Sequence, residues 1–135
     1  TVQEFTLRAI REICQLLGIK TEFIHSSEIV SKKPELASLG SNELILELCT
    51  YSGANFYISG TGCLDFIRPK TFLEKGIEFN FQSFCPPLYG QVHGEPFISH
   101  MSTLDALFNL GFSGTVELIK PPMLKTASEF LSESK

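Results

Sequence analysis

From Val2 to Leu17 the apolar residues Phe5, Ala9, Ile13, Leu16 and Leu17 recur every three or four positions, with Glu4, Arg8, Arg11, Glu12 and Gln15 mostly between them. That period predicts an amphipathic helix. Thr1 and Glu4 have capping-box spacing at its start, and Gly18 suits the left-handed residue that closes it. Residues Thr21 to His25 read as a short strand ending in Ser26 and Ser27, followed by a loop through Lys32, Lys33 and Pro34. Ser41 is the expected N-cap of a second helix with Leu44, Ile45, Leu48 and Cys49 on one side and Gly53 at its end.

Asn55 to Ser59 is rich in aromatic and β-branched side chains and predicts a strand, which must turn at Gly60-Thr61-Gly62. Pro69 suits the first turn of a short helix containing Phe72 and Leu73, with Gly76 at its end. Ile77, Phe79 and Phe81 then alternate with Glu78, Asn80 and Gln82, the period of two that marks a strand with one dry and one wetter face. Pro86, Pro87, Gly90, Gly94 and Pro96 make the next stretch a loop. Ser102, three residues before Asp105, starts a helix with Leu104, Leu107 and Phe108 on its core face until Gly111, and another short helix is expected around Val116 to Ile119. Pro121 and Pro122 end it. The Thr126 to Glu129 capping pair then predicts a loosely held helix or frayed tail over 121–135.

Helices alternating with strands, joined by connections of helical length, predict an α/β fold: a parallel β-sheet core with helices packed on it, in Rossmann-like β-α-β units, forming one domain over 1–120. Parallel strands align their C-terminal ends, and ligands of such sheets bind outside those ends. Three loops are thereby expected at one rim: His25-Ser26-Ser27, Ser59-Gly60-Thr61-Gly62 and Gln82-Ser83-Phe84.

The 135 residues carry 11 basic and 15 acidic side chains, a net charge of −4, with 43% hydrophobic content. This excludes a disordered chain and disfavours a nucleic-acid partner. No run approaches the roughly 18 apolar residues of a membrane span, and no signal-peptide order opens the chain, so a soluble, cytoplasmic protein without membrane insertion is expected. Cys14, Cys49, Cys63 and Cys85 include no C-x-x-C pair, so neither a metal site nor a redox dithiol is predicted, and no cofactor is implied. Cys14 and Cys49 fall on apolar helix faces as small hydrophobes. Cys63 and Cys85 would be nucleophiles only if a cation or helix terminus lowered their pKa.

Among polar residues, Ser59, Gly60 and Thr61 offer amides and hydroxyls to an anionic group, or else form a turn that merely needs glycine. His25 at a strand end, beside Ser26, is a candidate general base or a hydrogen-bonding loop residue. His93 and His100 read as solvent-exposed, and Lys32 and Lys33 as a solvated loop. Tyr89 and Gln91 could stack on and hydrogen-bond a sugar or base, or Tyr89 could pack across the sheet edge. Asp105 is a candidate catalytic carboxylate or a first-turn helix cap, and Asn109, four residues on, faces the same side or ties down the Gly111 turn.

Tyr57-Ile58-Ser59-Gly60, then Phe72 to Ile77 with Gly76, Tyr89 and Gln91, and Ser102-Thr103-Leu104-Asp105 with Leu107-Phe108-Asn109-Leu110-Gly111 form an ordered series. Over about residues 40–111 it resembles the C-terminal half of the WbqC-like family. Members usually open with a strand, a Q-P-x-Y-x-P-W-type loop and an N-R-N-type stretch; neither motif occurs here, so Thr1 is expected to correspond to the middle of a typical member and the chain to be part of a larger domain. The resemblance implies a transferase adding an aminoacyl or acyl group to an amino sugar, or to its nucleotide-linked form, in bacterial surface polysaccharide and O-antigen synthesis. The shared polar residues are Ser59, Gly60, Tyr89, Gln91, Ser102, Asp105 and Asn109. The competing expectation is a non-catalytic module that binds a sugar nucleotide or a protein, and association into a homo-oligomer is left open.

Overall fold

The computed structural model describes residues 1–119, 124–126, 128 and 129. In chain order its elements are α1 (Val2–Leu16), α2 (Ser26–Lys32), α3 (Ser41–Tyr51), β1 (Phe56–Ser59), α4 (Pro69–Glu74), β2 (Glu78–Gln82), α5 (Thr103–Leu118) and β3 (Leu124–Thr126), with 3-10 turns at Pro34–Ser38 and Thr61–Cys63. The class is mixed α/β. Two compact units divide the chain, one of Thr1–Phe23 with Cys85–Pro121 and one of Ile24–Phe84 with Pro122–Lys135.

In the first unit, the capping box at the head of α1 is complete. The Thr1 hydroxyl accepts from the Glu4 amide at 3.3 Å, and the Glu4 carboxylate accepts from the terminal ammonium at 2.6 Å. Gly18 ends the helix at φ 72°. The stripe expected to face the core does not do so: α1 contains no buried residue, and Leu17, just beyond it, is the buried one. Ser102 caps α5 by accepting from the Leu104 amide at 3.2 Å. Inside α5, Gly111 takes φ 70° and ψ −176°, outside the helical region and in a part of backbone space open essentially to glycine alone. The Gly111 carbonyl accepts from the Thr115 hydroxyl at 2.7 Å, and Thr115 is buried. The two helices expected on either side of Gly111 are thus two segments of one broken element, the second starting directly after the glycine.

The second unit is built on the sheet. β1 and β2 pair in parallel with Tyr57 opposite Phe79 and Ser59 opposite Phe81, as the intervening α4 crossover predicts. The third strand differs from expectation. Residues 21–25 form no strand, so the expected all-parallel core with three Rossmann-like strands is reduced to one parallel pair. The other edge of β2 is taken by β3, antiparallel, with Gln82 opposite Leu124. A strand exists only where its amides and carbonyls find a neighbouring ladder, and Thr21 to His25 finds none: the sheet order is β1-β2-β3. Most of the tail expected over 121–135 lies outside the described residues. Within it the Thr126–Glu129 pair forms: the Glu129 amide donates to the Thr126 hydroxyl at 3.3 Å, and the Glu129 carboxylate accepts from the Thr126 amide at 2.9 Å.

An aromatic cluster fills this unit. Phe72 is wholly buried, 5.1 Å from the stacked ring of Tyr57 and 5.1 Å from Phe79, which meets Phe81 at 5.0 Å; Leu46, Cys49, Ile67 and Ile77 complete the core. Burial pushes the Cys49 thiol pKa up, in keeping with a packing role. The wetter face of β2 is less wet than its pattern suggests. Asn80 is buried there, with its amide donating to Glu78 at 2.9 Å.

Asn42, buried at the start of α3, ties that helix to α4. Its Oδ1 accepts from the Arg68 amide at 2.7 Å and its Nδ2 donates to the Thr71 hydroxyl at 3.3 Å, while the neighbouring Glu43 pairs with the Arg68 guanidinium. Arg68 is the N-cap position of α4 and supplies no capping side chain, so Asn42 acts as a cap from another element. Asn42→Ala leaves that amide without a partner and is expected to cost about 1–3 kcal/mol, read as a lower urea midpoint at unchanged slope. An unchanged midpoint would show the tie to be dispensable.

Candidate functional site

Four of the polar residues singled out in the sequence meet in the first unit. The Tyr89 hydroxyl donates to Asp105 Oδ2 at 2.7 Å, and Gln91 Nε2 donates to the same oxygen at 3.1 Å. Asn109 lies one turn after Asp105 on α5. Its Nδ2 donates to the Asp105 carbonyl at 2.7 Å while its Oδ1 accepts from the Val92 amide at 2.7 Å, so one side chain joins helix to loop. The i, i+4 spacing on α5 and the alternate placing of Tyr89 and Gln91 in the loop are what the sequence contributes to this arrangement.

Gln91 does more than orient the carboxylate. Its Nε2 also donates to the Ile98 carbonyl at 2.9 Å, and its Oε1 accepts from the Ile98 amide at 2.9 Å. A buried carboxamide thus reproduces both bonds of a backbone bridge and closes the 91–98 loop. Phe97, brought round by this closure, stands edge-on to Tyr89 at 5.4 Å. Phe97 and Ile98 carry no periodic or compositional mark, and only the folded loop reveals their part.

The electrostatics of the cluster follow from these bonds. The Tyr89 hydroxyl holds the Asp105 carboxyl below its ordinary range; Gln91, nearby His93 and Asn109 add to this against a desolvation that pulls the other way. Reciprocally, the bond to Asp105 pushes the Tyr89 hydroxyl up, keeping it a neutral donor. Both donors occupy Oδ2, and among the described residues Oδ1 receives no hydrogen bond. The result is a half-exposed, oriented carboxylate that stays charged at neutral pH. Such a group is a weak proton acceptor but a good counter-charge for a cation. The capping role open to Asp105 is taken by Ser102, and the Asp105 side chain turns to the loop instead.

The remaining candidates belong to the second unit. His25 sits at the N-cap position of α2, half-buried, and makes no capping bond to the first turn; Ser26 begins that helix and is exposed. His25 is therefore not at the end of a sheet strand. The two candidate catalytic residues, His25 and Asp105, lie in different compact units. Ser59 ends β1 with its side chain buried and its hydroxyl donating to the Gly60 carbonyl at 3.1 Å. Gly60 has φ −77°, and no atom within 4 Å would meet a Cβ there, so neither conformation nor crowding inside the chain requires glycine. Thr61 and Gly62 are exposed in the 3-10 turn that follows. This loop stands at the C-terminal end of the parallel pair, the edge where ligands of such sheets are held.

Among the described residues, no group of three or more His, Cys, Asp or Glu side chains is placed to hold a metal ion, and no helix is long and apolar enough to cross a membrane. Comparison with known families matches residues 1–117 to the WbqC-like protein family. The chain belongs to the WbqC-like family. The match reaches back through α1, well before the series over 40–111 that carries the resemblance in the sequence. No curated protein and no solved structure gave a match. In this WbqC-like chain the Tyr89, Gln91, Asp105 and Asn109 cluster, on a helix capped by Ser102, is the place where shared polar residues act on one another.

Proposed function

We propose that this WbqC-like protein is a cytoplasmic transferase that adds an acyl or aminoacyl group to the amine of an amino sugar, free or nucleotide-linked, during synthesis of a bacterial surface polysaccharide. The observation that carries this reading is the Asp105 carboxylate, oriented through Oδ2 by Tyr89 and Gln91 and held ionised. An amine attacking an acyl carbon gains positive charge on nitrogen as the new bond forms. A fixed carboxylate facing that nitrogen holds the substrate as its ammonium, which loses a proton to water before it attacks; the carboxylate then stabilises the charge that returns to nitrogen as the C–N bond forms, and the second proton and the donor's leaving group depart as the amide is made. Asn109 and Gln91 keep the loop and helix in register around it. The Ser59-Gly60-Thr61 loop, where glycine answers no internal demand, supports a second contact, the close approach of an anionic group to exposed backbone.

The test is a titration with nucleotide-linked amino sugars, each paired with its N-acetylated counterpart, followed by mass spectrometry of mixtures containing an activated acyl or aminoacyl donor. The free amine is expected to bind more tightly and to gain the mass of the acyl group, and the N-acetylated partner to bind about 10- to 100-fold more weakly and to gain none. Equal binding of both forms would remove the role given to Asp105. Selective binding of the amine without turnover on any donor would favour the alternative, a module that holds the amino sugar for another protein.

A further inference from the structure

We infer that His93 is the base of this site, its imidazole taking the second proton from the substrate nitrogen as the amide is made; the assignment rests on the transferase reading above. A primary amine that has bonded to an acyl carbon carries a positive charge, and no amide results until a proton is removed from it. The four clustered side chains are unsuited to that step. Asp105 is held ionised and accepts protons weakly, the Tyr89 hydroxyl is pushed up as a neutral donor, and the carboxamides of Gln91 and Asn109 do not titrate. His25, the base expected from the sequence, belongs to the other compact unit.

The backbone brings His93 to the cluster. The Gly94 amide donates to the Gln91 carbonyl at 2.9 Å, which makes residues 91–94 a tight turn with His93 in its third position, and Gly94 supplies the left-handed φ of 77° that follows. Both residues before His93 are tied to one turn of α5: Gln91 Nε2 donates to Asp105 Oδ2 at 3.1 Å, and the Val92 amide donates to Asn109 Oδ1 at 2.7 Å. One residue further on, His93 stands within a side chain's reach of that turn. Its imidazole is exposed, makes no hydrogen bond among the described residues, and in its charged form helps to keep Asp105 ionised. The other histidine of this unit, His100, has Nδ1 3.0 Å from the Ser99 hydroxyl. Imidazole takes up and releases protons readily near neutral pH. As the C–N bond forms, the carbonyl π pair moves to oxygen; an imidazole nitrogen then takes one N–H proton, and the electron pair of that bond stays on nitrogen. The C=O bond re-forms, the donor's leaving group departs with its bonding pair, and the imidazolium passes the proton to that group or to water.

Transfer by the intact chain from an activated acyl or aminoacyl donor to a nucleotide-linked amino sugar tests this with two variants, His93→Ala and His93→Gln, the second keeping a polar side chain should the first disturb the turn. Each is expected to lower kcat about 100-fold. Affinity for the amine, measured by calorimetry, is expected to stay as it was, because Asp105 still holds the ammonium. Free imidazole added to the buffer is expected to restore turnover of His93→Ala in proportion to its concentration, since the exposed position leaves it room to enter. An unchanged kcat in both variants, an affinity that falls in step with kcat, or a loss that imidazole does not repair would overturn the role of His93 and leave the transferase reading standing. An unaltered protein that turns over no donor would overturn that reading and the role of His93 together.

Discussion

Asp105→Asn is expected to weaken binding of an amino sugar about 10- to 100-fold and to lower acyl transfer about 100- to 1,000-fold, while the N-acetylated sugar is unaffected. The substitution is nearly isosteric. An asparagine oxygen can still accept from Tyr89 and Gln91, so the loop remains attached to α5 and the change is essentially one of charge. A charge-assisted hydrogen bond contributes about 1.5–3 kcal/mol, which sets the expected loss of ground-state affinity. The larger factor in transfer follows because the amine, once it has given its proton to water, regains positive charge as it bonds to carbon, and the variant offers that charge no carboxylate. Calorimetry with the amine and its N-acetylated counterpart separates the two effects from a general loss of structure. If Asp105→Asn binds and transfers as the unaltered protein does, the carboxylate has no part in the chemistry.

Phe72→Ala is expected to destabilise the second unit by about 3–5 kcal/mol, more than the loss of the Asn42 tie. Phe72 is wholly enclosed, with the Tyr57 and Phe79 rings each 5.1 Å away, and it anchors α4 across the parallel strand pair. Truncation removes the ring and leaves a void between two aromatic faces that the short α4, only Pro69–Glu74, cannot collapse far enough to fill. For a unit of this size the loss corresponds to roughly 15–30 °C in melting temperature, measurable by calorimetry or by near-ultraviolet circular dichroism of the Tyr57 environment. Phe108→Ala supplies the contrast: that side chain is almost fully exposed and its truncation is expected to leave the melting temperature nearly unchanged. A Phe72→Ala loss below about 1 kcal/mol would mean that the cluster is not the core of its unit.

Signals in the sequence are legible where the physics is local. The Thr1 to Glu4 capping box, the glycines that close α1, α3 and α4, Pro69 at the start of α4 and the Ser102 cap all depend on residues within one turn, and each is present in the fold. The expected N-cap Ser41 moves by one residue, with Gly40 in that position, a shift within the usual fraying of helix ends. The parallel pairing of Tyr57 with Phe79 follows from the crossover length. What escapes the sequence is non-local. Thr21 to His25 reads as a strand but joins no sheet, and the segment that does pair with β2 is Leu124–Thr126, from a stretch with few apolar residues. Asn80 and Asn42 are buried for the same kind of reason, through partners that no periodicity displays.

The candidate cluster is legible in part. The pairing of Asp105 with Asn109 comes from helical spacing, and Tyr89 and Gln91 are marked by the family series. That all four meet through a loop closed by Gln91 and Ile98 depends on a conformation among prolines and glycines that has no repeating signal. His25 illustrates the opposite case. Its expected place depends on a strand that does not form, and with that strand goes the expected rim of three converging loops, of which the second unit retains the two at the ends of β1 and β2.

The closure of the 91–98 loop by a single carboxamide has a chemical consequence. Loss of ammonia from Gln91 would leave a glutamate of nearly the same shape, yet an oxygen would then face the Ile98 carbonyl and Asp105 where a nitrogen had donated to both. Two attractions would become repulsions, and a second negative charge would stand against Asp105. The durability of the 91–98 closure during storage or ageing therefore rests on one hydrolysable amide, and burial away from water is what protects it.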